Sequence, residues 1–363
     1  MKILFISHSS VLKFHQQKLL ILAEKYHHNI TLVTPPYWLE GGVKIAAFTG
    51  HKEINYLIGK TFMFDRRFFH FYYNPDEIIG KVNPDIVHIE EEPFTPVCRE
   101  FVGAAKKRNK RVVFFTWENI ERKYNPLYSI CERYNLKNSD AAVAGNLEAK
   151  ELLIKKGFLR DVEVIPQYGI NTEEFLDKDF HKSKEKYNIV YIGRLTKEKG
   201  IDILLEGICN IQNVKLHIAG TGNLLQEIKQ KIEKLNVQDK VIFHSYVVRE
   251  KIPEFLNKMD ILVLPSITTP DWKEQFGRVL IEAFAAKVAV VGSDSGAIPE
   301  VIGDAGIVFK ENNATDLRNK LEDLMKNDDL YTKCIEKGYE RVKNKYTNER
   351  IAADIDEFYK RIF

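Results

Sequence analysis

The feature that most constrains the fold is an alternation of short apolar, β-branched runs with longer amphipathic segments along most of the chain. This pattern is typical of parallel strands that are buried on both faces by crossover helices. The runs predict strands at 2–6, 29–33, 85–89, 111–115, 141–144 and 162–165, and then at 188–192, 214–219, 241–244, 261–264, 288–291 and 306–309. The sequence therefore predicts an α/β protein with two doubly wound, Rossmann-like sheets.

The length of 363 residues suits two domains, each with a core of its own. The stretch 167–188 loses apolar periodicity and gains charge, as an interdomain linker does. We place the boundary near residue 180, giving domains 1–180 and 181–340. Thr315 is predicted to cap a helix, and the segment 341–363 is predicted to be helical and to cross back to the first domain.

Composition excludes several classes of function. A net charge of +3 does not suggest a nucleic-acid partner. The four cysteines lie far apart, as reduced thiols of a cytosolic protein do: Cys98, Cys131, Cys209 and Cys334. Ser7 and His8 end the first apolar run too early for a signal peptide, and no run approaches about 18 apolar residues. We therefore expect a cytoplasmic protein, with any membrane contact peripheral.

The stretch 60–73, KTFMFDRRFFHFYY, combines seven aromatic and three basic residues. It predicts either an amphipathic segment of the first domain or an interfacial patch that faces lipid or a lipid-linked substrate. Both interpretations stay open on the sequence alone.

An anion site is predicted where the strand at 188–192 runs into GRLTKEKG, residues 193–200, ahead of a helical segment. Gly193 allows a tight turn, and Arg194 and Lys199 follow close to the helix N-terminus. Free backbone N–H groups, the positive end of the helix dipole and two cationic side chains suit a diphosphate. A surface loop with ordinary basic residues is the alternative.

The strand at 214–219 ends in GTGN, residues 220–223. Gly220 and Gly222 match the first two glycines of a dinucleotide fingerprint, but Leu225 replaces the third. The pattern therefore indicates a tight turn or a nucleotide-binding loop, and it gives little support to a nicotinamide enzyme.

Of two glutamates, Glu274 comes just before a helix that is predicted to begin at 275 or 276 and to run through Phe284, and Glu282 lies within that helix. Eight helical residues rise about 12 Å, whereas the paired carboxylates of a glycosidase lie about 5 to 9.5 Å apart. The spacing argues against a hydrolase pair. Two contacts to one elongated ligand, or two solvated charges, remain possible interpretations.

The loop GSDSGAIPE, residues 292–300, follows the next strand, so that four loops are expected to converge at the carboxyl edge of one sheet, where open α/β sheets bind ligands. No metal site is expected, because the Asp-x-Asp pairs at 177–179 and 354–356 read as solvated charges. No cofactor is expected either.

Taken in order, GRLTKEKG, AGTGN, LPS with EQFGRVLIEAFA, and GSDSGAIPEVIGDAGIVF resemble the nucleotide-sugar domain of retaining glycosyltransferases of the GT-B fold, glycosyltransferase family 4. The likeness covers 185–310. In the first half, KVNPDIVHIEEEP, RVVFFTWENI and VIPQYGINTEEF resemble the acceptor domain of that family. The resemblance implies two Rossmann-like domains that face each other across a cleft and a nucleoside-diphosphate sugar as donor.

The resemblance also implies roles for individual residues. Arg194 and Lys199 hold the donor diphosphate, Glu274 lies by the transferred sugar, and Glu282 bonds the ribose hydroxyls. Further donor contacts come from a larger set: Gly193, Gly220, Gly222, Tyr246, Val247, and the backbone around Phe276, Gly277, Arg278 and Val279.

The first half departs from the family at two places. SHSSVLKFHQQ replaces a usual Gly-Gly loop, and Thr116 and Trp117 stand where a histidine is common. Acceptor contacts are predicted for Trp117, Glu118 and Asn119. The acceptor is expected to be a saccharide or a lipid-linked saccharide of cell-surface glycan synthesis.

Other functions remain open on the sequence alone. A sugar-nucleotide epimerase shares the two-domain architecture, and it would change the donor sugar without an acceptor. A sugar-binding protein of periplasmic type would need an export signal.

Overall fold

The computed structural model describes residues 1–40, 43–62, 68–175 and 186–363. The chain forms two compact units: unit 1 is Met1–Gly169 with Asn348–Phe363, and unit 2 is Ile170–Thr347. The boundary predicted near residue 180 lies outside the described residues. The end of the chain, from Asn348 onward, is part of unit 1.

Seventeen strands form in the described residues. Unit 1 contains β1 (Lys2–Ile6), β2 (Asn29–Thr34), β3 (Tyr37–Glu40), β4 (Val43–Ala46), β5 (Ile54–Ile58), β6 (Thr61–Phe62), β7 (Phe71–Tyr72), β8 (Ile86–Ile89), β9 (Arg111–Thr116), β10 (Ala141–Ala144) and β11 (Asp161–Val164). Unit 2 contains β12 (Tyr187–Ile192), β13 (Val214–Ala219), β14 (Val241–His244), β15 (Ile261–Leu264), β16 (Ala289–Ser293) and β17 (Ile307–Phe309).

The described residues also form thirteen α-helices. They are α1 (Gln17–Glu24), α2 (Pro75–Val82), α3 (Pro96–Lys107), α4 (Pro126–Asn138), α5 (Leu147–Lys155), α6 (Ile201–Ile208), α7 (Leu225–Lys234), α8 (Ile252–Leu256), α9 (Arg278–Ala285), α10 (Ile298–Ile302), α11 (Ala314–Lys326), α12 (Asp328–Lys345) and α13 (Asn348–Ile362).

Unit 1 is built on a seven-stranded parallel sheet in the order β11-β10-β9-β8-β1-β2-β5. Because successive side chains of a strand point to opposite faces, Leu4 and Ile6 of β1 join one buried cluster, and Ile3 and Phe5 join another. Helix α13 packs its apolar side into the second cluster, where Phe358 is 1% exposed. The last helix is therefore part of the core of unit 1 and not a surface appendage.

Unit 2 is built on a six-stranded parallel sheet in the order β14-β13-β12-β15-β16-β17. Side chains of its first strand, such as Ile189 and Tyr191, are fully buried in a core that includes Leu204 and Leu205 of α6. The two central strands of this sheet, β12 and β15, pair at Ile189 and Ile261, and two other strands, β13 and β14, lie between them in the chain.

The structure corrects several details of the predicted elements. Strand β5, at the edge of the first sheet, was not predicted, because Asn55 interrupts its apolar residues and Ile54 is its one buried residue. Helix α11 is capped by Asn313, whose side chain accepts a hydrogen bond from the Asp316 N–H, and not by Thr315. Helix α9 begins at Arg278, so the predicted start at 275 or 276 was too early.

Two observations on the described residues concern membrane contact. Among the described residues, no helix combines the length and apolar character that crossing a bilayer requires. Part of the aromatic and basic stretch at 60–73, residues 63–67, lies outside the described residues. On either side of them, Phe62 and Tyr73 are more than half exposed, whereas Tyr72 is buried.

Candidate active site

The candidate site lies at the carboxyl edge of the unit 2 sheet. Its strand order places the first strand of the unit, β12, beside the fourth, β15, and the chain proceeds outward from this pair in both directions. Such a reversal of strand order is the topological switch point at which open α/β sheets bind ligands. The loops 193–200 and 265–277, which follow these two strands, carry the candidate residues Arg194, Lys199 and Glu274.

Three of the predicted glycines hold the first loop against its neighbour. A Cβ at Gly220 would lie 1.8 Å from the Gly193 carbonyl oxygen, and one at Gly222 would lie 2.2 Å from the Leu195 oxygen. The Leu195 N–H donates to the Thr221 carbonyl at 2.9 Å. Only glycine permits so close a backbone approach, so GTGN serves as a docking surface for the 193–200 loop.

The pair Lys199 and Glu274 is the centre of the site. The Lys199 ammonium lies 2.7 Å from Glu274 Oε2, and the Ser266 hydroxyl donates to the same oxygen at 3.0 Å. Both charged side chains are largely buried, with 13% and 10% of their areas exposed. The ammonium also lies 4.6 Å from the centre of the Trp272 ring, within range of a cation–π interaction. The structure therefore brings two predicted catalytic residues into direct contact.

The backbone of Glu274 is fixed by the loop that follows β16. The Ala297 N–H donates to the Glu274 carbonyl at 2.9 Å. Gly296 has φ 54°, and a Cβ there would lie 2.1 Å from that same carbonyl oxygen. The predicted convergence of GSDSGAIPE with the glutamate loop is thus a close backbone packing that only glycine allows.

Two helix N-termini open at this edge. Helix α6 follows Gly200 and helix α9 follows Gly277, and neither has a side-chain cap. Both glycines adopt positive φ, 65° and 71°. The first backbone N–H groups of a helix have no partner within the helix, and the dipole makes them attractive to anions. The amides around Phe276, Gly277, Arg278 and Val279 belong to this second N-terminus, which lies just after Glu274 in the chain.

Glu282 lies one turn into α9, and it interacts with Arg278. The Arg278 Nε and Glu282 Oε1 atoms are 3.1 Å apart, in an i, i+4 pair. Burial raises the pKa of the Glu282 carboxyl, and the Arg278 guanidinium acts in the opposite direction. Glu174 also influences this pair electrostatically, and burial raises its own pKa. Glu282 is therefore not a solvated charge on an open helix face.

Arg194 differs from Lys199 in being open to solvent. Its side chain is 64% exposed, and it makes a long contact of 3.5 Å to Glu198. Its backbone is fixed, because the buried Tyr191 hydroxyl donates to the Arg194 carbonyl at 2.6 Å. An exposed cation on a fixed backbone can turn toward an incoming anion with little structural change.

The other residues predicted to contact the donor, Tyr246, Val247 and Phe276, lie in two separate loops of unit 2. Tyr246 lies in the loop after β14 and is 65% exposed, and Val247 beside it is half-buried. The Phe276 ring is buried and packs edge-on against Tyr346, so its side chain serves the core of unit 2. This leaves the Phe276 backbone as the part that can meet a ligand.

In unit 1, the three predicted acceptor residues belong to a hydrogen-bonded network. The Trp117 indole N–H donates to Gln167 at 2.9 Å, and its backbone N–H donates to Glu92 at 2.9 Å. Glu118 is paired with Lys156 at 2.6 Å, and Asn119 donates to Glu148 at 2.9 Å. Glu118 and Asn119 are both buried, whereas Trp117 is partly exposed.

The sequence alone did not identify Ser266, Trp272 or Glu174 as part of the site. Ser266 and Trp272 surround the Lys199 ammonium and the Glu274 carboxylate, and Glu174 acts on the Arg278–Glu282 pair. Ser266 and Trp272 lie in the same loop as Glu274, so a search of that loop for hydrogen-bonding and aromatic residues would have found them. Glu174 precedes the whole of the unit 2 sheet, and nothing in its sequence context signals the contact.

Within the part of the chain that the structure describes, no group of three or more His, Cys, Asp or Glu side chains is arranged to hold a metal ion. The four cysteines have free thiols.

Comparison with known proteins shows which family the second half of the chain resembles. Residues 172–341 match the family described as glycosyl transferases group 1. The chain is 28% identical over 218 residues to an uncharacterized 41.2 kDa protein in the cps region of Klebsiella pneumoniae, a match that spans 58% of this chain and only 54% of that protein. It is 24% identical over 356 residues to a component of the phosphatidylinositol N-acetylglucosaminyltransferase of Arabidopsis thaliana, a match that spans 93% of this chain and 75% of that one.

The fold is also found in solved structures. The Anabaena protein Alr3699/HepE, in complex with UDP, matches 99% of this chain and 100% of its own with a TM-score of 0.74. Because the sequence identity is 14%, this likeness establishes the fold alone. Residues 172–341 of this chain are similar to the glycosyl transferases group 1, and the chain has the GT-B fold.

Proposed function

We propose that this protein is a retaining, metal-independent glycosyltransferase that moves a sugar from a nucleoside-diphosphate sugar to a saccharide or lipid-linked acceptor of cell-surface glycan synthesis. The observation that carries the proposal is the buried Lys199–Glu274 pair at the switch point of the unit 2 sheet, with the N-termini of α6 and α9 opening at the same edge. A leaving diphosphate needs a fixed positive environment, and this edge provides one.

The diphosphate is stabilised by four features. Arg194 is exposed, Lys199 is held by Glu274, and the two helix N-termini present N–H groups without side-chain caps. Preorganised donors of this kind stabilise charge that develops in the transition state. No metal ion is required in this arrangement, because the cationic side chains and the helix dipoles stabilise the negative charge of the diphosphate.

The two glutamates contact different parts of the donor. Glu274 lies by the transferred sugar, where a sugar hydroxyl can donate to Oε1 while Oε2 stays bonded to Lys199 and Ser266. Glu282 bonds the ribose hydroxyls, and the base lies along the segment of Tyr246 and Val247. The backbone at Gly193, Gly220 and Gly222 holds the phosphate loop close to the sheet.

The acceptor lies against unit 1, where Trp117 is the exposed contact and Glu118 and Asn119 hold its loop in place. The name of the Arabidopsis relative, a phosphatidylinositol N-acetylglucosaminyltransferase component, supports an acceptor of the lipid-linked class. The complex of the Anabaena protein with UDP supports uracil as the donor base. Association with the inner face of a membrane, through residues near 60–73, is part of the same proposal.

The donor assignment is tested by thermal-shift screening against nucleoside diphosphates, followed by hydrolysis of UDP-glucose and UDP-N-acetylglucosamine. We expect UDP to stabilise the protein and one UDP-sugar to release UDP slowly in water. An epimerase would instead return a changed UDP-sugar with no UDP released. Failure of every nucleoside diphosphate to bind would contradict the assignment.

The stereochemistry is tested by NMR of the sugar when it first appears, before mutarotation. Departure and attack on the same face preserve the anomeric configuration, and we expect the α-donor to give an α-product. A product of inverted configuration would exclude a retaining mechanism. Binding to liposomes with anionic lipid at low salt tests the peripheral contact, which is abandoned if the liposomes do not retain the protein.

A further inference from the structure

Helix α4 of unit 1 buries little of its own surface. Of its thirteen residues only Cys131 and Asn135 are buried. The exposed residues of the opposite side follow one another at intervals of three or four: Leu127, Ile130, Arg133 and Lys137. Residues at this spacing lie on one side of a helix, over a length of about 15 Å. We call these four residues the α4 stripe, which is aliphatic in its N-terminal half and cationic in its C-terminal half.

The aromatic stretch at 60–73 packs at the aliphatic end of the α4 stripe. The Phe69 ring lies 6.4 Å from the ring of Tyr128, the residue next to Leu127. Phe94 joins the two segments, because its ring lies 5.4 Å from Phe68 and 5.7 Å from Tyr128. Phe68 is 39% exposed, so it adds aromatic surface at this end of the helix.

An open cleft of about 540 Å³ lies at the cationic end of the α4 stripe. Four of its seven lining residues are cationic and none is acidic: Arg133, Lys137, Lys156 and Arg160. Lys156 is paired with Glu118 and Glu132. Within the described part of the chain, the other three cations have no carboxylate partner. Their charge suits a phosphate group, for which guanidinium and ammonium groups are the usual partners.

Leu159, at the same cleft, is 86% exposed, more than any other large apolar side chain of the described residues. The backbone on both sides of it is fixed. Phe158 is 1% exposed, and its N–H donates to the Leu153 carbonyl at 3.0 Å. The Arg160 guanidinium donates to two carbonyls at the end of α4, at 2.8 and 2.9 Å. Leu159 is therefore held out into solvent, beside the cations of the cleft.

We propose that this face of unit 1, formed by the α4 stripe, the cleft and Leu159, binds the surface of a bilayer that contains anionic phospholipid. The cleft takes the phosphate of a lipid headgroup, and Leu127, Ile130 and Leu159 enter the boundary between headgroups and acyl chains. The complementarity of charge favours this occupant, because an anionic bilayer offers negative charge and apolar surface side by side.

This inference rests on the proposed function, in which the acceptor is lipid-linked and the protein contacts a membrane near residues 60–73. It adds α4 and the cleft as the main contact. All of the residues concerned belong to unit 1.

The test is sedimentation of the full chain with vesicles at low salt. The vesicles contain either phosphatidylcholine alone or an equal mixture of phosphatidylcholine and phosphatidylglycerol. We expect wild type to bind the mixed vesicles and to bind the neutral ones far more weakly. The double variant R133Q/K137Q should lower the partition coefficient by about thirtyfold, the effect of two basic residues next to an anionic surface. Leu159→Asn should lower it by about tenfold, because an apolar side chain no longer enters the bilayer.

The matched controls lie in unit 2. K343Q/K345Q removes two exposed lysines from the last turn of α12, and it lowers the net charge by the same amount as R133Q/K137Q. Ile242→Asn removes an aliphatic side chain that is 40% exposed. We expect both controls to keep the partition coefficient within about twofold of wild type. Equal losses in the controls would overturn the proposal, because binding would then follow overall charge or overall exposed apolar surface.

UDP calorimetry without vesicles separates this inference from the proposed function. R133Q/K137Q and Leu159→Asn should bind UDP within about twofold of wild type, since neither belongs to the candidate site of unit 2. Wild type that binds UDP but not the mixed vesicles would overturn this inference alone. Wild type that binds the mixed vesicles but no nucleoside diphosphate would overturn the donor assignment and support the membrane face. A wild-type dimer that ignores vesicles and that both variants dissociate would make this face an interface between two copies, and would also overturn the inference.

Discussion

The carboxyl edges of the two sheets have the same topology and opposite chemistry. In each sheet the first strand lies beside the fourth, so each sheet has a switch point. At this edge unit 2 presents Lys199, Arg194 and two uncapped helix N-termini, whereas unit 1 presents three consecutive carboxyl groups, Glu90 to Glu92. Strand order thus gives each sheet a switch point of the kind at which open α/β sheets bind ligands, and the loop residues give the two edges different charged groups.

The three carboxyl groups of unit 1 are accommodated in three ways. Glu90 forms a buried ion pair with Lys18, and Glu91 is paired with His8. Burial raises the pKa of Glu92 to about 7, although it accepts hydrogen bonds from Thr116 and Trp117. Each of the three carboxyl groups at this edge therefore has a hydrogen-bond or ion-pair partner within unit 1.

The largest effect is expected from Lys199→Met. We expect turnover to fall by about a hundredfold or more, as when one preorganised donor of a charged transition state is removed. The single change also leaves the Glu274 carboxylate buried without its cation, which lowers stability. The double variant K199M/E274Q should recover the melting temperature but not the turnover, measured as UDP release per folded protein.

The control for that experiment is the other buried lysine–glutamate pair, in unit 1. Lys18 and Glu90 are 3% and 2% exposed, closer to complete burial than Lys199 and Glu274. The double variant K18M/E90Q should bind UDP as wild type does. If it loses UDP affinity to the same degree as K199M/E274Q, the contrast between the two edges is incorrect.

Substitution of the two glutamates of unit 2 should separate affinity from turnover. Glu282→Gln removes the carboxylate assigned to the ribose, and we expect UDP affinity to fall about tenfold, or about 1.4 kcal/mol. Glu274→Gln should change UDP affinity much less and lower turnover instead, because the sugar is absent from UDP. Calorimetry with UDP measures the affinity, and a UDP-release assay measures the turnover. If both variants lose affinity and turnover equally, the two glutamates have only a structural role.

Gly296→Ala tests the packing that fixes Glu274. The residue has φ 54°, and the added Cβ would lie 2.1 Å from the Glu274 carbonyl oxygen. Strain in the left-handed region alone is about 1–3 kcal/mol, and each kcal/mol lowers the melting temperature of a unit of this size by about 2–4 °C. The matched control in unit 1 is Gly157→Ala, where φ is 87° and a Cβ meets nothing within 4 Å. A loss in Gly157→Ala as large as that in Gly296→Ala would contradict the packing argument.

The smallest effect is a pH dependence in unit 1. The pKa of Glu92 in the folded protein is about 7, above its ordinary value. Between about pH 4.5 and 7, Glu92 is therefore protonated in the folded state and ionised in the unfolded state. Glu92 therefore stabilises the fold at low pH, and this contribution is lost as the pH rises through that window. The melting temperature of Glu92→Gln, measured relative to that of wild type, should therefore rise as the pH increases from about 4.5 to 7. A constant difference between the two proteins across this window would mean that Glu92 is ionised throughout.

Most of the fold could be predicted from the sequence, because strands buried on both faces leave long apolar runs. The predicted strands at 2–6, 141–144 and 261–264 match β1, β10 and β15 residue for residue. Strand β5 was missed because it is an edge strand in which Asn55 interrupts the apolar residues and only Ile54 is buried. The helix start at Arg278 was missed because it depends on the backbone of Gly277, which adopts φ 71° at the end of the preceding loop. The amino-acid sequence alone does not specify this conformation.

The candidate site was only partly predictable for a related reason. Local motifs identify loops at the end of strands, and they correctly indicated that Arg194, Lys199 and Glu274 belong to such loops. That Lys199 and Glu274 touch depends on β12 lying beside β15, although two other strands separate them in the chain. Likewise, His8 and Glu91 meet only because β1 lies beside β8, and no short motif carries that information.

We propose that the nucleoside diphosphate binds at the edge of unit 2 and not at the edge of unit 1. Calorimetric titration of UDP into wild type, Arg194→Ala and His8→Asn tests it most directly, since the Arg194 side chain is 64% exposed and its removal leaves the fold intact. We predict that Arg194→Ala loses at least about tenfold in UDP affinity, equivalent to about 1.4 kcal/mol, while His8→Asn binds UDP as wild type does. Undiminished binding in Arg194→Ala together with lost binding in His8→Asn would mean that UDP binds at the edge of unit 1 instead.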